Sequence, residues 1–405
     1  MEIVNNNFIE RSNSSSSKSK TISLRQLFVF LGLFSFLRPT IFEKFEATNL
    51  LFNGLLVISL IFVVADFVIQ YGLSRFIRDK FLLVSILYYS LMIVSTVLNN
   101  ESIQRMLMYV FVGFSSIVFA KYVFEKELLF ASSVMKVLVW LYAFINIISI
   151  IAFPDGIVKT GSSGGSVFFL GQYSRFAFFF FPALLFCVLG DIKKYKKIRI
   201  NTIFLLIICF FSVILSGTVG SSLAMIIMFL LMIIGRKKKI NFVILFVIYI
   251  IFYLALTYFS ITNYFAKFVE DVLKRDLTLS SRTLIWNHGF NYIHLSPYYG
   301  VGIMDNVTML ENFNFVHLHN HLLQVTFNTG YIGLTLFIIL LFISFLSVTK
   351  HRDNYISILI GVFVLCTGIE LLVDCADGVR NHFIFLMAVG SSAGLTYKTN
   401  RKRHI

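Results

Sequence analysis

Five of the chain's eight histidines, His288, His294, His317, His319 and His321, fall within residues 281–334, together with Arg282, Trp286, Asn320, Gly300 and Gly302. Imidazole exchanges protons near neutral pH, and a guanidinium fork matches the oxygens of a phosphate or pyrophosphate. The combination suits transfer of a group away from a phosphorylated leaving group. Arginine would stabilise the departing anion while histidine handles the proton of an incoming hydroxyl. His317, His319 and His321 alternate, so an extended segment would turn all three to one side, whereas a helix would pair His317 with His321 and turn His319 away. Zinc is the competing chemistry, but the sequence sets no carboxylate or cysteine beside these histidines to complete a site. No metal or other cofactor is expected. Asn320 can orient an imidazole through its amide, and Arg175, just after a glycine-rich stretch, is a second candidate for the anion.

These polar residues must be positioned by an apolar frame. The 405 residues are 58% hydrophobic and only 14% charged, and apolar runs of membrane-spanning length recur from end to end. The expected fold is an all-α polytopic membrane protein with about twelve transmembrane helices. Windows fall near 24–42, 48–71, 80–98, 103–120, 127–153, 173–190, 202–217, 218–234, 242–259, 322–348, 355–373 and 381–397. The net charge of +15 sits in short runs between these windows, which reads as topology signal and excludes a nucleic-acid partner.

With the amino terminus inside, the basic runs at 74–80, 121–126, 191–199, 235–239 and 350–352 and the tail after 397 all become cytoplasmic, as the positive-inside rule asks. Both termini are then cytoplasmic, residues 154–172 lie outside, and the polar island belongs to a large extracytoplasmic loop between the ninth and tenth helices. The organisation expected is a disordered tail over 1–23 without a cleaved signal, helices over 24–259, a catalytic loop over 260–321, helices over 322–397 and a basic tail over 398–405. Inside the loop, residues 263–275 space apolar positions like a helix lying in the membrane interface. Residues 280–293 read as a second helix, with Ser280 or Ser281 as its cap, Arg282 in its first turn and Trp286, Phe290 and Ile293 along one stripe. Pro297 then begins a turn through Gly300 and Gly302.

Other groups have plainer readings. Cys187, Cys209, Cys366 and Cys375 show no metal or disulfide spacing. Arg38, Arg105, Lys159 and Arg380 are further external cations, each read as structural. Asp66, Glu370 and Asp374 lie in or beside apolar spans, where an ionisable group needs a partner or a polar path; Glu370 and Asp374 are four apart, and Arg380 could pair with Asp374 or Asp377. Arg282 could likewise pair with Asp271 or Asp276. No phosphate-binding G-x-x-x-x-G-K-[ST] loop, H-E-x-x-H or D-x-D pattern occurs, so an enzyme working outside must use an already activated substrate.

The island as a whole resembles the O-antigen polymerase and ligase superfamily of bacterial surface-polysaccharide enzymes. The resemblance rests on Arg282 and Trp286, Pro297 with Gly300 and Gly302, then His319-Asn320, Leu323, Gln324 and Gly330-Tyr331-Ile332-Gly333; elsewhere it is one of topology. It implies metal-independent glycosyl transfer from an undecaprenyl-pyrophosphate-linked oligosaccharide at the outer face of a bacterial inner or plasma membrane. It also makes a flippase and a chain-length regulator candidate partners, beside membrane lipid. By motif position Arg282 and His319 would be catalytic, with His321 and His317 as second choices; Asn320, Trp286, Gly300 and Gly302 would bind substrate, with Arg175, from its place after the glycine-rich stretch, beside them. The chain departs from the pattern at Val219, where many relatives carry an arginine, and lacks the Arg-x10-Gly repeats of some polymerases. A Wzy-type polymerase for O-antigen, capsule or exopolysaccharide is the leading expectation. A ligase moving finished glycan to another acceptor is the alternative, and a transporter or lipid-glycan flippase working through Asp66, Glu370 and Asp374 is the alternative from a different class.

Overall fold

The computed structural model describes residues 22–159, 166–258, 282–313, 315–376 and 380–395. Helices dominate: α1 (Leu24–Phe36), α2 (Glu46–Tyr71), α3 (Ser74–Arg78), α4 (Lys80–Leu98), α5 (Ile103–Lys126), α6 (Leu128–Ala152), α7 (Phe176–Tyr195), α8 (Ile200–Leu215), α9 (Val219–Lys237) and α10 (Phe242–Tyr258) come first. After these follow α11 (Arg282–Leu295), α12 (Asn306–Phe313), α13 (His321–Lys350), α14 (Tyr355–Glu370) and α15 (His382–Ser391). Among the described residues, seven helices are long and apolar enough to cross a membrane: α2, α4, α5, α6, α7 with its preceding turn, α9 and α13. Five shorter apolar helices, α1, α8, α10, α14 and α15, coincide with the remaining sequence windows. The protein is an all-α polytopic membrane protein.

Burial separates inner helices from outer ones. α7, α14 and α15 are buried along nearly their whole length, so protein rather than lipid surrounds them. The outer helices instead turn large apolar side chains outward, among them Ile61 and Ile69 on α2, Phe144 and Ile151 on α6 and Ile251 on α10. A soluble protein would hide such a belt; a lipid-facing surface requires it.

Two features depart from the sequence reading. Residues 154–172 carry a small antiparallel sheet of β1 (Val158–Lys159), β2 (Ser166–Phe168) and β3 (Gly171–Gln172), in the order β1-β2-β3. α13, expected as one unbroken span, is interrupted at Gly330 (φ 65°, ψ −172°). The Pro297–Gly302 turn packs into that break, with the Tyr331 N–H donating to the Pro297 carbonyl at 2.8 Å and the Val301 N–H to Phe327 at 2.8 Å. A Cβ on Gly330 would lie 2.2 Å from the Tyr298 oxygen, so any side chain there would expel the turn. The helix read at 280–293 is present as α11, whereas residues 263–275, Ser280, Ser281, Asp271, Asp276 and Asp377 lie outside the described residues.

Candidate active site

The site is built from three segments that converge at the end of the bundle carrying the polar island. The first is the 315–320 loop before α13. Leu318, fully buried, has both backbone groups fixed: its N–H donates to Gln324 Oε1 at 2.9 Å and its carbonyl accepts from the Trp286 indole at 2.8 Å. With Leu318 pointing inward, His317 and His319 turn outward together, their ring centroids 4.0 Å apart. His319 sits in the left-handed region (φ 48°), a conformation that costs energy in a non-glycine residue and clusters at functional sites.

The second segment delivers Arg175. Asn146 of α6 accepts the Leu170 N–H at 3.0 Å, Ser149 accepts the Phe169 N–H at 3.2 Å, and the Thr40 hydroxyl donates to the Leu170 carbonyl at 2.9 Å. The hairpin is thereby pinned, and the turn that follows it places the Arg175 guanidinium 3.1 Å from His317 Nε2. The third segment follows α14 and brings Asp374, 4% exposed, to 3.9 Å from His319 Nδ1; its other task is to accept the Cys375 N–H at 2.7 Å. Because α14 ends at Glu370, Glu370 and Asp374 do not share a helical face as their spacing implied. Glu370 instead accepts a 2.6 Å hydrogen bond from Ser221.

The sequence expectation that no carboxylate stands beside the histidines is corrected by Asp374. The ligand atoms of His317, His319 and Asp374 lie within 4.8 Å of one another, close enough to surround an ion. The chemistry of the donors argues otherwise. Both ring nitrogens of His317 face N–H groups, Arg175 at Nε2 and the His319 backbone at Nδ1 (3.3 Å), and a neutral imidazole can accept at only one nitrogen. Neither lone-pair direction is open to a cation.

Residues 204–338, a third of the chain, match the family model described as O-antigen ligase. Over this span the chain is similar to the O-antigen polymerase and ligase superfamily. No curated protein matches the chain significantly. The matched span runs from α8 into α13 and holds Arg282, Trp286 and the histidine loop; Arg175 and Asp374 lie outside it.

Within this site the expected residues divide. Arg175, His317 and His319 come together, and Arg282 opens α11 one turn before Trp286, on the helix face whose indole reaches Leu318. His288 and His294 are exposed on α11. His321 turns away: it begins α13, is 4% exposed and packs its ring against Phe337 and Phe383, with Cys375 Sγ 3.8 Å from Nδ1. The three histidines therefore follow neither the extended nor the helical pattern. Asn320 orients no imidazole. Fully buried, it caps α13 by accepting the Leu323 N–H at 3.0 Å and donates to Thr257 and the Leu372 carbonyl, both at 3.2 Å. Trp286, 1% exposed, supports the loop from behind, and Gly300 and Gly302 face protein backbone, where added Cβ atoms would meet Phe327 oxygen at 2.5 Å and Thr96 Cα at 2.8 Å.

Beside the histidines opens a cavity of about 420 Å³ lined by Arg175, Arg38, Arg105 and Arg380, with Glu43 and Asn53 among its other walls. Arg380 does not pair with Asp374; its guanidinium takes Glu43, which also pairs with Arg38 at 3.3 Å. Sequence reasoning noted these arginines singly and missed that the α1–α2 turn, α5 and the segment before α15 bring them to one chamber. The repeated appearance of lone cations at window ends was the signal available.

Proposed function

We propose that the protein polymerises surface polysaccharide, transferring a glycan from an undecaprenyl-pyrophosphate-linked donor to a sugar hydroxyl of another lipid-linked repeat unit at the outer face of the bacterial cell membrane, with both its termini in the cytoplasm. The observation that carries this reading is His319, held in a left-handed backbone between Asp374 at 3.9 Å and the Arg175–His317 pair. The acceptor hydroxyl attacks the donor's anomeric carbon, the carbon–oxygen bond to the pyrophosphate breaks, and the lipid pyrophosphate departs with the bonding electrons. His319 takes the hydroxyl proton, and Asp374 is its positioning residue: a neighbouring carboxylate steadies the imidazolium that forms. Arg175 and Arg282 stabilise the negative charge that develops on the leaving oxygen. No step calls for a metal.

Ligation of finished glycan to a different acceptor uses the same donor and the same residues, and the description of the matched family favours it as the second reading. Replacing Arg282 and His319 by alanine and examining cellular glycans separates them. Accumulation of single lipid-linked repeat units with loss of long chains is the polymerase outcome. Long lipid-linked chains that fail to reach their final acceptor are the ligase outcome. Unchanged glycans would sink both enzymatic readings and return attention to transport, for which a flippase and a chain-length regulator are otherwise separate partners.

A further inference from the structure

The arginine-lined cavity holds more positive charge than a leaving pyrophosphate explains. Arg175 stands at the histidine end, 3.1 Å from His317 Nε2. Arg38, 6% exposed, and Arg380, with its side chain 13% exposed, lie further along and share a single carboxylate, Glu43. Arg38 spends one nitrogen on the Asn49 carbonyl at 3.1 Å, and its buried Nε has no hydrogen-bond partner. Arg380 donates to the carbonyls of Phe36 and Arg38, both at 3.2 Å, where α1 ends. Burial lowers Arg380 to about 10, so its charge persists at neutral pH. Arg105, on the opposite wall, stacks on Tyr109 with its guanidinium carbon 5.6 Å from the ring centre.

Among the described residues the walls carry four guanidinium groups and one carboxylate; with Arg175 set aside for the pyrophosphate, three guanidinium groups face Glu43. Asp305 offsets part of the Arg105 charge from outside the cavity. Its carboxyl, held below the usual range by the Thr308 N–H and hydroxyl, stays ionised and solvent-facing. The remainder lies between one and two positive charges. Buried guanidinium groups without a counter-charge are costly, and a chamber so lined selects an anion. Asn49, Asn53 and Thr40 on the same walls offer the amides and hydroxyl that read sugar hydroxyls.

Resting on the transferase reading above, we infer that this cavity recognises an acidic sugar: Arg105 and the Arg38–Glu43–Arg380 group hold a carboxylate carried by the repeat unit itself, next to the pyrophosphate end defined by Arg175.

Two measurements test it. Cells carrying His319→Ala accumulate the lipid-linked unit if transfer is the function, and sugar analysis of that unit is expected to find a carboxylate on it. A neutral unit overturns the inference and leaves the transfer reading intact. The second measurement does not depend on turnover. Oligosaccharide fragments cut from the cell's own surface polysaccharide, native or carboxyl-reduced, are titrated against the purified full-length protein in detergent, with inorganic pyrophosphate as a separate probe. Native fragments are expected to bind at least about tenfold more tightly than reduced ones. Arg105→Gln should remove that difference, Arg105→Lys should keep part of it, and pyrophosphate binding should stay unchanged in both. Equal binding of native and reduced fragments overturns the proposal. So does an Arg105→Gln variant that weakens pyrophosphate as much as the native fragment, since the anion would then be the lipid's.

Discussion

The two ends of the helical bundle treat buried charge in opposite ways. At the end carrying the basic runs, each described cation that enters the protein meets its own carboxylate. Lys121, 1% exposed, donates to Asp79 at 2.8 Å and to Ser391 at 2.7 Å; Arg75 pairs with Glu125 at 3.0 Å; Lys136 pairs with Asp191; and Arg25 reaches Asp66 at 3.2 Å. Asp66 also accepts from Tyr122 and Gln70, both at 2.5 Å, which answers the transport reading of this residue with a saturated structural cluster. At the other end, Arg38, Arg105, Arg175 and Arg380 border one cavity with Glu43 as the carboxylate among its walls. Closed pairs at one end hold helices together, and an undercompensated group at the other is kept for a ligand.

Substitutions at the two ends sharpen this contrast. Lys121→Ala should have the largest effect on folding, about 1–3 kcal/mol, because the buried amine's bonds to Asp79, Ser391 and Ser392 are lost while Asp79 keeps Arg75 and two backbone N–H groups; thermal unfolding in detergent measures it, and the folded fraction should retain normal turnover. Arg175→Ala should reverse the pattern, with unfolding little changed and turnover of lipid-linked units down about 10²–10³-fold. Asp374→Asn should lower kcat roughly tenfold, about 1.4 kcal/mol of barrier, with KM preserved, since the carboxamide keeps the shape but loses the charge beside His319. Lys239→Ala should change neither property: its partner Asp353 is reached at 2.5 Å, but the two side chains are 68% and 64% exposed, where solvent screens the pair. A large loss of turnover from Lys239→Ala, or of folding from Arg175→Ala, would break the division between the ends.

Much of the frame was legible because a membrane imposes one length and one polarity on every span. All twelve sequence windows contain an apolar helix, including short α1, whose Ser23 and Gln26 form a reciprocal cap, and α15, capped by Asn381. The three-stranded sheet escaped notice because strands of two or three residues carry no readable alternation. The break at Gly330 was hidden inside an apolar run, since only the docked turn from Tyr298 and Gly300 reveals why a glycine stands there. In the candidate site, the sequence named Arg175, His317 and His319, which the structure brings together. Local spacing could not find the approach of Asp374, which crosses from a segment 55 residues beyond His319 to the same point. Asn320 and Trp286 were read as substrate-binding because their polar atoms were visible; the structure uses those atoms on Leu323, Thr257, Leu372 and Leu318 instead.

The most direct test of the claim that the His319 end performs glycan transfer is elongation by purified protein in proteoliposomes supplied with lipid-linked repeat units, resolved by length on a gel. Wild-type protein should build a ladder of chains, and His319→Ala, melting at the wild-type temperature, should leave single units, a loss of about 10²–10⁴-fold in rate. A His319→Ala ladder that grows at the wild-type rate would contradict it.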